Sequence, residues 1–309
     1  MEILLLKEVN ISIFRPMLCA SNNPMTYPKY FEELTFPKFA SPKYDGIRAI
    51  VKNGVLMSRT FKPIPSLQCQ EEFRMVDHID GELLEGNVFD FGVYNRTQSH
   101  VMSEDKPGNI SYVLFDYTHP DYINDPFYIR LDRLKEAIKD YDVYQLAPQE
   151  EVGTIDELLQ CEEKWLELGA EGLILKCPIS PYKQGRSTWR ENAGIKLKRE
   201  MQDEGIIIGY EERMINENEK KTNALGYSER SHHKDNKVPA GMIGKFLVDF
   251  NDEVISVAPG VFTHNELEEM YVNWYKYQGQ ILTFQHFPHG KKDAPRQARA
   301  KGIRHRSDM

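Results

Sequence analysis

The sequence predicts an α+β protein of two domains, the second of them a small β-barrel. The chain has 309 residues, about two domains on the usual size of a domain. Strand and helix signals are mixed as far as about residue 200, and almost all later signals are for short strands. With 40% hydrophobic and 28% charged residues the composition is that of a globular protein, which excludes disordered, collagen-like and coiled-coil chains.

The first part of the chain alternates short strands with helices. A β-rich run covers 42–52, and Asn53-Gly54 is a strong hairpin signal, so 55–59 is predicted as the returning strand. The second of two predicted helices begins with the capping-box pattern Thr154-Ile-Asp-Glu157. The other predicted strands are 79–83, 88–93, 110–117, 172–177 and 194–198, and the predicted helices are 127–139 and 154–168.

The second part of the chain is mostly strand. One helix interrupts it, from the capping box Thr263-His-Asn-Glu266 to about Tyr277. Short strands with an inserted helix indicate a Greek-key barrel of the OB type. The polar segment 211–239 predicts a long exposed loop or excursion. We therefore divide the chain into domains at 1–202 and 203–309, with predicted barrel strands at 205–210, 242–250, 254–258 and 281–287.

Charge is distributed unevenly along the chain. The formal net charge is −8, yet the last 19 residues carry seven lysine or arginine residues against two aspartates. Polyanion binding depends on local basic residues more than on the total charge. This segment is therefore a candidate phosphate-binding element, although a solvated basic tail is the simpler reading.

The sequence gives no sign of secretion or of a membrane anchor. The N-terminus has no basic stretch before its short apolar run, and no apolar run approaches the roughly 20 residues that cross a bilayer. The four cysteines are scattered and form no Cys-x-x-Cys pair. We expect a protein of the reducing cytoplasm, without a membrane partner.

The segment Lys43-Tyr-Asp-Gly-Ile-Arg48 is the most informative stretch of the chain. It places an amine, a carboxylate and a guanidinium around one tight turn after a strand. A lysine is a nucleophile only when it is neutral, which requires burial or neighbouring cations. Lys43 is the candidate nucleophile, although the pattern alone also fits a plain strand-turn-strand.

Five further motifs follow in order, each on or beside a predicted strand. They are Ser58-Arg59-Thr60, Asp80-Gly81-Glu82-Leu83, Tyr112-Val113-Leu114-Phe115-Asp116, Glu171-Gly172-Leu173-Ile174-Leu175-Lys176 and Ile195-Lys196-Leu197-Lys198. Together with Lys43–Arg48 this series resembles the motifs of the covalent nucleotidyltransferases, which are DNA ligases, RNA ligases and capping guanylyltransferases. The resemblance implies a nucleotidyltransferase (adenylation) domain of antiparallel sheets with helices, followed by an OB-fold domain.

Among these enzymes the sequence is most similar to compact ATP-dependent DNA ligases of the bacteriophage type. The segment 225–244 looks like one that those enzymes carry near the start of the OB domain. The ending Gly302-Ile-Arg304-His-Arg306-Ser-Asp308 looks like their final motif, except that their usual last lysine is Met309 here. The resemblance implies ATP-dependent sealing of nicks in duplex DNA by a monomeric enzyme.

The resemblance also implies how the nucleotide is held. Lys43 attacks the α-phosphorus of ATP and keeps AMP as a phosphoramidate. Lys196 and Lys198, two apart on one strand, point the same way and stabilise the α-phosphate. Phe115 stacks on adenine and Glu82 accepts a hydrogen bond from the ribose. The other implied contacts of the nucleotide are Arg48, Lys176, Arg304 and Arg306.

Metal and DNA contacts follow from the same resemblance. Glu171 is expected to hold Mg²⁺ or Mn²⁺ in a mostly hydrated site, with Glu82 as a second candidate ligand. Arg48 and Arg59 are expected at the phosphate of the nick. Since Lys43 lies near the start of the chain, we expect the excursion at 211–239 to complete a clamp on DNA. Its candidate phosphate ligands are Lys220, Lys221, Arg230, Lys234 and Lys237.

Two alternatives stay open. An RNA ligase or a capping guanylyltransferase uses the same lysine chemistry. Many DNA ligases carry an acidic or polar residue two positions before the lysine that helps to recognise adenine; here that residue is Ser41, which can still donate or accept a hydrogen bond. Selectivity for ATP is therefore implied by the resemblance more than by this position. A catalytically silent nucleic-acid-binding protein is the second alternative, disfavoured because every catalytic residue type is present. The NAD-dependent ligases are disfavoured by the short chain and by the absence of a four-cysteine zinc site.

Overall fold

The structure is a computed structural model that describes residues 14–21, 34–90, 92–198, 200–287 and 295–304. These residues form three five-stranded sheets, a two-stranded hairpin and five α-helices. The helices are α1 Leu67–Phe73, α2 Val93–Val101, α3 Phe127–Ile138, α4 Ile155–Glu167 and α5 His264–Val272, with a 3-10 turn at Trp274–Lys276. The strands are β1 Ala20–Ser21, β2 Lys38–Pro42, β3 Ile47–Lys52, β4 Val55–Ser58, β5 Ile79–Glu85, β6 Ile110–Tyr117, β7 Tyr144–Leu146, β8 Glu150–Val152, β9 Leu173–Lys176, β10 Gly194–Leu197, β11 Met201–Asn216, β12 Lys220–Thr222, β13 Ser228–Arg230, β14 Lys237–Phe250, β15 Glu253–Val257, β16 Ile281–Phe287 and β17 Arg296–Arg304.

Two sheets make up the first part of the chain. Sheet A has the strand order β1-β10-β9-β2-β8 and sheet B the order β4-β3-β5-β6-β7. All neighbours within them are antiparallel except β1 with β10 and β6 with β7. The outer face of sheet A packs on Leu158 and Trp165 of α4, and the outer face of sheet B packs on Phe73 of α1 and Leu134 of α3. The opposite faces of both sheets are left to line a common cavity.

The second part of the chain is the predicted barrel. Sheet C has the order β15-β14-β11-β16-β17, and a bridge between Ala258 and Arg299 joins its two edges. Helix α5 lies between β15 and β16 in the chain and buries Leu267 and Met270 in the barrel core. The α+β class with a terminal OB-type barrel is thus confirmed.

Most predicted elements are confirmed. Strands β6 and β16 have the predicted bounds, and α3 ends one residue early. Thr263 caps α5 with the complete reciprocal box, since it accepts from Glu266 N while the Glu266 carboxylate accepts from Thr263 N. Thr154 caps α4 by accepting from Glu157 N at 3.2 Å. No helix in the described residues is long and apolar enough to cross a membrane.

The strand predicted at 88–93 is wrong. Residues 88–90 form turns and bends, and α2 begins at Val93. Val93, Thr97 and Val101 are the buried residues of this helix, and their spacing of four is helical. The apolar residues just before Gly92 made the segment look like a strand and hid the helical spacing that begins at Val93.

The β-rich run at 42–52 is also interrupted. Strand β2 ends at Pro42 in sheet A, and β3 begins at Ile47 in sheet B. Gly46 lies at the crossing, where a Cβ atom would stand 2.3 Å from the backbone oxygen of Leu83. Only glycine allows this close approach, so the Asp-Gly pair carries the chain from one sheet to the other.

The excursion at 211–239 is more regular than the predicted loop. Strands β11 and β14 continue as a two-stranded ribbon as far as the pair Asn216 and Lys237. Beyond it, β12 and β13 form a small separate hairpin. We call residues 217–236 the hairpin extension. Its polar composition suits a ribbon that is exposed to solvent on both faces. The long pairing of β11 with β14 fixes the direction in which the hairpin extension leaves the barrel.

Candidate active site

Two connected spaces define the site. The inner cavity, about 290 Å³, lies between sheets A and B and is lined by Ser41, Ile174, Lys176 and Lys196 from sheet A. The cleft, about 820 Å³, lies between those sheets and the barrel, whose Phe287 and Arg296 line it. Lys43 lines both spaces, as do Arg59 and Lys196. The inner cavity is also lined by Arg48, Glu82 and Phe115 from sheet B, together with Cys19 and Arg186.

The turn that carries Lys43 is fixed by backbone contacts. Lys43 N donates to Gly172 O at 2.8 Å, and Glu171 N donates to Lys43 O at 3.1 Å. Gly172 has φ +146°, and a Cβ there would stand 2.2 Å from Leu197 O. These contacts explain why a glycine follows the glutamate, and they bring Lys43 and Glu171 side by side.

Glu171 lies at the centre of a charge cluster. One of its carboxylate oxygens accepts from the Lys43 ammonium and the other from Lys198, and its side chain is only 3% exposed. Burial alone would raise the pKa of Glu171, but the two ammonium groups lower it to about 2. Burial alone would lower the pKa of Lys43, and Glu171 more than reverses this, so the pKa of Lys43 is raised. In this arrangement Lys43, the candidate nucleophile, is held as an ammonium ion.

Lys196 and Lys198 lie on the face predicted for them. Lys196 pairs in register with Ile174 and lines the inner cavity, and Lys198 lines the cleft. Burial lowers the pKa of both amines, and Lys43 lowers that of Lys196 further. The Lys198 ammonium lies over the Phe287 ring at 3.4 Å, so a barrel residue helps to hold it. The ammonium groups of Lys196 and Lys198 therefore lie near Lys43, where the cavity and the cleft meet.

Arg48 is held by a buried carboxylate. Its Nε and Nη2 atoms donate to the two oxygens of Asp80 at 2.9 and 2.6 Å, and Tyr182 Oη also donates to Asp80, at 2.9 Å. The arginine lies 5.5 Å from the Phe115 ring centre. Sequence reasoning missed Asp80, although it stands two residues before Glu82 and therefore on the same strand face.

Glu82 and Phe115 border the inner cavity as the resemblance implied. Burial is the main reason that the pKa of Glu82 is raised to about 7, with Lys43 and Arg48 opposing it. A partly protonated carboxyl group suits a hydrogen bond with a hydroxyl better than it suits a metal ion. Ile174, which sequence reasoning missed, faces the same cavity from sheet A. Apolar and polar side chains therefore line the inner cavity together.

Arg296 reaches the site from the barrel. Its guanidinium donates to the Asp45 carboxylate, and its Nη1 lies 3.8 Å from Glu171 Oε1. Arg304, which the sequence proposed for this role, pairs with Glu204 at 3.2 Å on the barrel and is 59% exposed at its side chain. Arg306 and Asp308 lie outside the described residues. Arg296 was missed because its strand was not predicted; the alternation of β17 is its only sequence signal.

Other predicted residues lie at the rim or away from it. Arg59 is exposed where the cavity meets the cleft, and Arg186, which sequence reasoning missed, lies close enough to Lys196 to lower the pKa of its ammonium. No signal in the sequence marks Arg186. The predicted phosphate ligands of the excursion all lie on or beside the hairpin extension. They are Lys220, Lys221, Arg230, Lys234 and Lys237.

The residues present fit one hydrated divalent metal ion. No group of three histidine, cysteine, aspartate or glutamate side chains in the described part of the chain could hold a metal. Glu171 stays anionic at any ordinary pH, because its pKa is about 2. A single carboxylate with water completing the shell is a usual site for Mg²⁺.

Comparisons with known proteins agree with this geometry. Residues 16–198 match the ATP dependent DNA ligase domain family. A DNA ligase of Lymantria dispar multicapsid nuclear polyhedrosis virus is 27% identical over 191 residues, which are 55% of this chain. The matched region spans about a third of that viral protein, 33% of its length.

Two solved structures share the fold. The Chlorella virus DNA ligase-adenylate is 29% identical, with a TM-score of 0.53 and coverage of 95% of this chain and 99% of the viral one. A Lig E DNA ligase, studied for DNA binding with a minimal scaffold, has a TM-score of 0.70 at 20% identity, covering 94% of this chain and 99% of its own. At that identity the second likeness concerns the fold alone. Since the family match covers more than half of its residues, this chain belongs to the ATP-dependent DNA ligase domain family.

Proposed function

We propose that the protein is an ATP-dependent DNA ligase that seals nicks between a 5′-phosphate and a 3′-hydroxyl in duplex DNA. The observation that carries this proposal is the position of Lys43, which lines both the inner cavity and the wide cleft. A nucleoside monophosphate in the cavity leaves its phosphorus at the amine. The cleft then receives first pyrophosphate and later the DNA end.

The first step joins AMP to Lys43. The Lys43 amine attacks the α-phosphorus of ATP, the bond to the β-phosphate oxygen breaks, and pyrophosphate leaves. The amine must lose its proton, and separation from Glu171 removes the contact that raises its pKa. Mg²⁺ or Mn²⁺, when bound at Glu171, supplies neutralisation of phosphate charge. Lys196 and Lys198 stabilise the charge that develops on the α-phosphate.

The second step takes place at the phosphorus of AMP, and the third takes place at the 5′-phosphorus of the DNA. An oxygen of the 5′-phosphate at the nick attacks the lysyl-AMP and displaces Lys43, giving a DNA-adenylate. The 3′-hydroxyl then attacks the 5′-phosphorus, AMP leaves, and a phosphodiester bond is formed. Arg59 and Arg186 lie at the cavity mouth, where the paired donors of a guanidinium suit phosphate oxygens. The main work of the protein is positioning and charge neutralisation.

The hairpin extension is our candidate for the part that closes around DNA. Its basic residues include Lys220 and Lys221 on one strand and Arg230 on the other. It also meets the first domain, since Glu229 pairs with Lys62 at 2.7 Å and Arg15 lies 4.7 Å from the Tyr227 ring centre. Both contacts are at the surface and are easily exchanged for phosphates. DNA affinity should fall as salt rises.

A deletion tests the clamp. We expect replacement of residues 217–236 by a two-residue turn to raise the concentration of nicked DNA needed for sealing, by roughly ten-fold or more for the loss of several phosphate contacts. Self-adenylylation should be unchanged, because the inner cavity is untouched. An equal loss of self-adenylylation would reject the clamp. Lys106→Ala, on the surface of the first domain, is the matched control for a lost surface charge.

The other expectations remain proposals. We propose a boundary between the domains at residues 202 and 203, a monomeric enzyme, and action in the cytoplasm of a bacterium or a phage-infected cell. Nicked duplex DNA and ATP are the proposed partners. RNA ligase or capping activity is the alternative, because it uses the same lysine chemistry.

One set of assays decides among these activities. The protein is incubated with Mg²⁺ and α-labelled ATP or GTP, and then with nicked duplexes that have DNA or RNA on either side of the nick. We expect label from ATP only, and sealing of DNA. Label from GTP would favour a capping enzyme, and sealing of RNA alone an RNA ligase. The absence of any label would favour a catalytically silent nucleic-acid-binding protein.

A further inference from the structure

Phe115 is the extra residue of a β-bulge. The register of β5 with β6 pairs Asp80 with Asp116 and then Gly81 with Leu114, so Phe115 has no partner on β5. Bulges next to active sites re-aim side chains and locally weaken the strand ladder. Here the bulge turns the Phe115 ring toward the inner cavity. The ladder alone does not fix the position of this ring.

Lys176 supplies the missing support from the facing sheet. Its Nζ atom donates to the backbone oxygen of Phe115 at 3.1 Å and lies 5.3 Å from the centre of the Phe115 ring. Lys176 is on β9, two residues after Ile174, and therefore projects to the same side of sheet A. The ammonium thus joins sheet A to the bulge in sheet B.

Lys176 is itself held by buried charges. It donates to Asp116 Oδ2 at 2.7 Å, and Arg130 Nε donates to Asp116 Oδ1 at 2.8 Å. Arg130 also donates to the backbone oxygens of Asp125 and Ser180, at 2.6 and 3.0 Å. The side chains of Lys176, Arg130 and Asp116 are 5%, 1% and 0% exposed. Breaking a buried ionic contact of this kind costs much free energy, so the Lys176 ammonium stays bound to β6.

We propose that Lys176 is a positioning residue that clamps the bulged backbone of Phe115 and so fixes the aromatic wall on which the base of the nucleotide stacks. This rests on the proposed function, in that the base occupies the inner cavity. It differs from the role implied by the sequence resemblance, in which Lys176 contacts the nucleotide directly. The two roles predict different losses when the amine is removed.

The discriminating ligands are ATP and adenosine. A lysine that touched a phosphate would contribute to binding of ATP and not of adenosine, which has no phosphate. A lysine that positions Phe115 contributes equally to both, because both carry the base. For Lys176→Met we expect the dissociation constants of both ligands to rise by roughly ten-fold, within the range measured for loss of one base–aromatic stack. A loss confined to ATP would overturn the proposal.

A double-mutant cycle separates positioning from general structural support. If Lys176 acts through Phe115, then Phe115→Leu and Lys176→Met should not add, and the double variant should bind adenosine about as weakly as Phe115→Leu alone. In self-adenylylation the KM for ATP should rise while the rate at saturating ATP stays nearly constant. Additive losses, or a fall in the saturating rate alone, would contradict the proposal. Lys183→Met, whose ammonium pairs with Glu191 on the surface, is the matched control.

A second variant covers the case in which Lys176→Met does not fold. Lys176→Arg keeps a cation for Asp116 but cannot place a single ammonium on the Phe115 oxygen. Equal losses for adenosine and ATP again support the proposal, and a loss for ATP alone rejects it. Adenylylation and nick sealing by the wild-type protein are measured separately. Their absence would reject the ligase function, while the ratio of the two binding losses still decides the role of Lys176.

Discussion

The two ends of the proposed nucleotide site are built from ion pairs of opposite kinds. At the base end, Asp80 and Asp116 are fully buried and bind Arg48, Arg130 and Lys176, all within the first domain. At the phosphate end, Glu171 and Asp45 bind cations from both domains, and the partners lie on the wall of an open cleft. The first set can persist unchanged through a reaction. The second set must exchange its partners whenever phosphate or metal enters.

The charge states support this distinction. Asp116 is anionic because Lys176 and Arg130 outweigh the effect of burial and lower its pKa. Glu171 is anionic for a similar reason, with a pKa of about 2, but its partners are the nucleophile Lys43 and Lys198. A carboxylate that remains charged releases Lys43 only when another cation replaces it. We therefore expect the phosphate end to work by exchange of ions and the base end by staying fixed.

The largest effect is expected from the nucleophile. Lys43→Ala should reduce labelling by α-labelled ATP by at least about a thousand-fold, since the covalent step has no acceptor. Lys196 and Lys198 are the rivals to test, because their amines lie nearby and burial lowers the pKa of both. Peptide mapping of the labelled wild-type protein should place AMP on Lys43. Label on Lys196 or Lys198 would overturn the assignment, and Lys183→Ala should be labelled normally.

The second largest effect is expected at the base end of the site. Asp116→Asn leaves Arg130 and Lys176 without a buried anion, and we expect a loss of roughly 3–5 kcal/mol in the free energy of unfolding at pH 7. Urea titration measures it. Asp132→Asn, which breaks an exposed pair with Lys135, should cost less than about 1 kcal/mol.

The pH dependence of that loss has a definite sign. The folded pKa of Asp116 is lowered, so its stabilisation is complete above the unfolded pKa of about 3.9 and is lost as the pH falls through the folded value. The gap between wild type and Asp116→Asn should therefore narrow in acid. A gap that widened in acid would mean that Asp116 is not anionic in the folded protein.

A smaller effect is expected where the barrel reaches the site. Arg296→Ala should slow self-adenylylation by about a hundred-fold, the usual cost of one preorganised charge at a transferring phosphate. Sealing of a nick that already carries AMP should be much less affected, because no pyrophosphate leaves in that step. Arg304→Ala is the direct comparison, since the sequence proposed Arg304 and the geometry favours Arg296. A larger loss for Arg304→Ala would restore the original assignment.

Sequence reasoning found the groups proposed to react better than the groups that hold them. Lys43, Glu171 and Lys198 meet as the motif order implied, because each lies at a strand end or on an alternating strand. Arg130 was not found, since it lies on α3 and reaches Asp116 only when this helix packs on sheet B. The supporting ion pairs depend on packing between distant segments, which spacing along one chain does not reveal.

The same limit explains the errors in the fold. Elements with a strong local signal, such as the Asn53-Gly54 hairpin and the capped helix at Thr263, are confirmed. The strand prediction for 88–93 was wrong because a short apolar cluster fits a strand and the start of a helix equally well. The excursion at 211–239 is polar and exposed as predicted, but its strands were not predicted. The strands of the hairpin extension pair over polar residues, and no apolar alternation indicates them.

The smallest effect tests whether the two ends are separable. Cys19 lines the inner cavity, and burial raises the pKa of its thiol, so alkylation should be slow. In a Cys177→Ala background, ATP at ten times its dissociation constant should slow alkylation of Cys19 about ten-fold, by occupancy alone. Lys43→Ala should be protected to the same degree, because the base end stays intact when the nucleophile is removed. Loss of protection in Lys43→Ala would show that the fixed end depends on the exchanging one, and the contrast between them would fail.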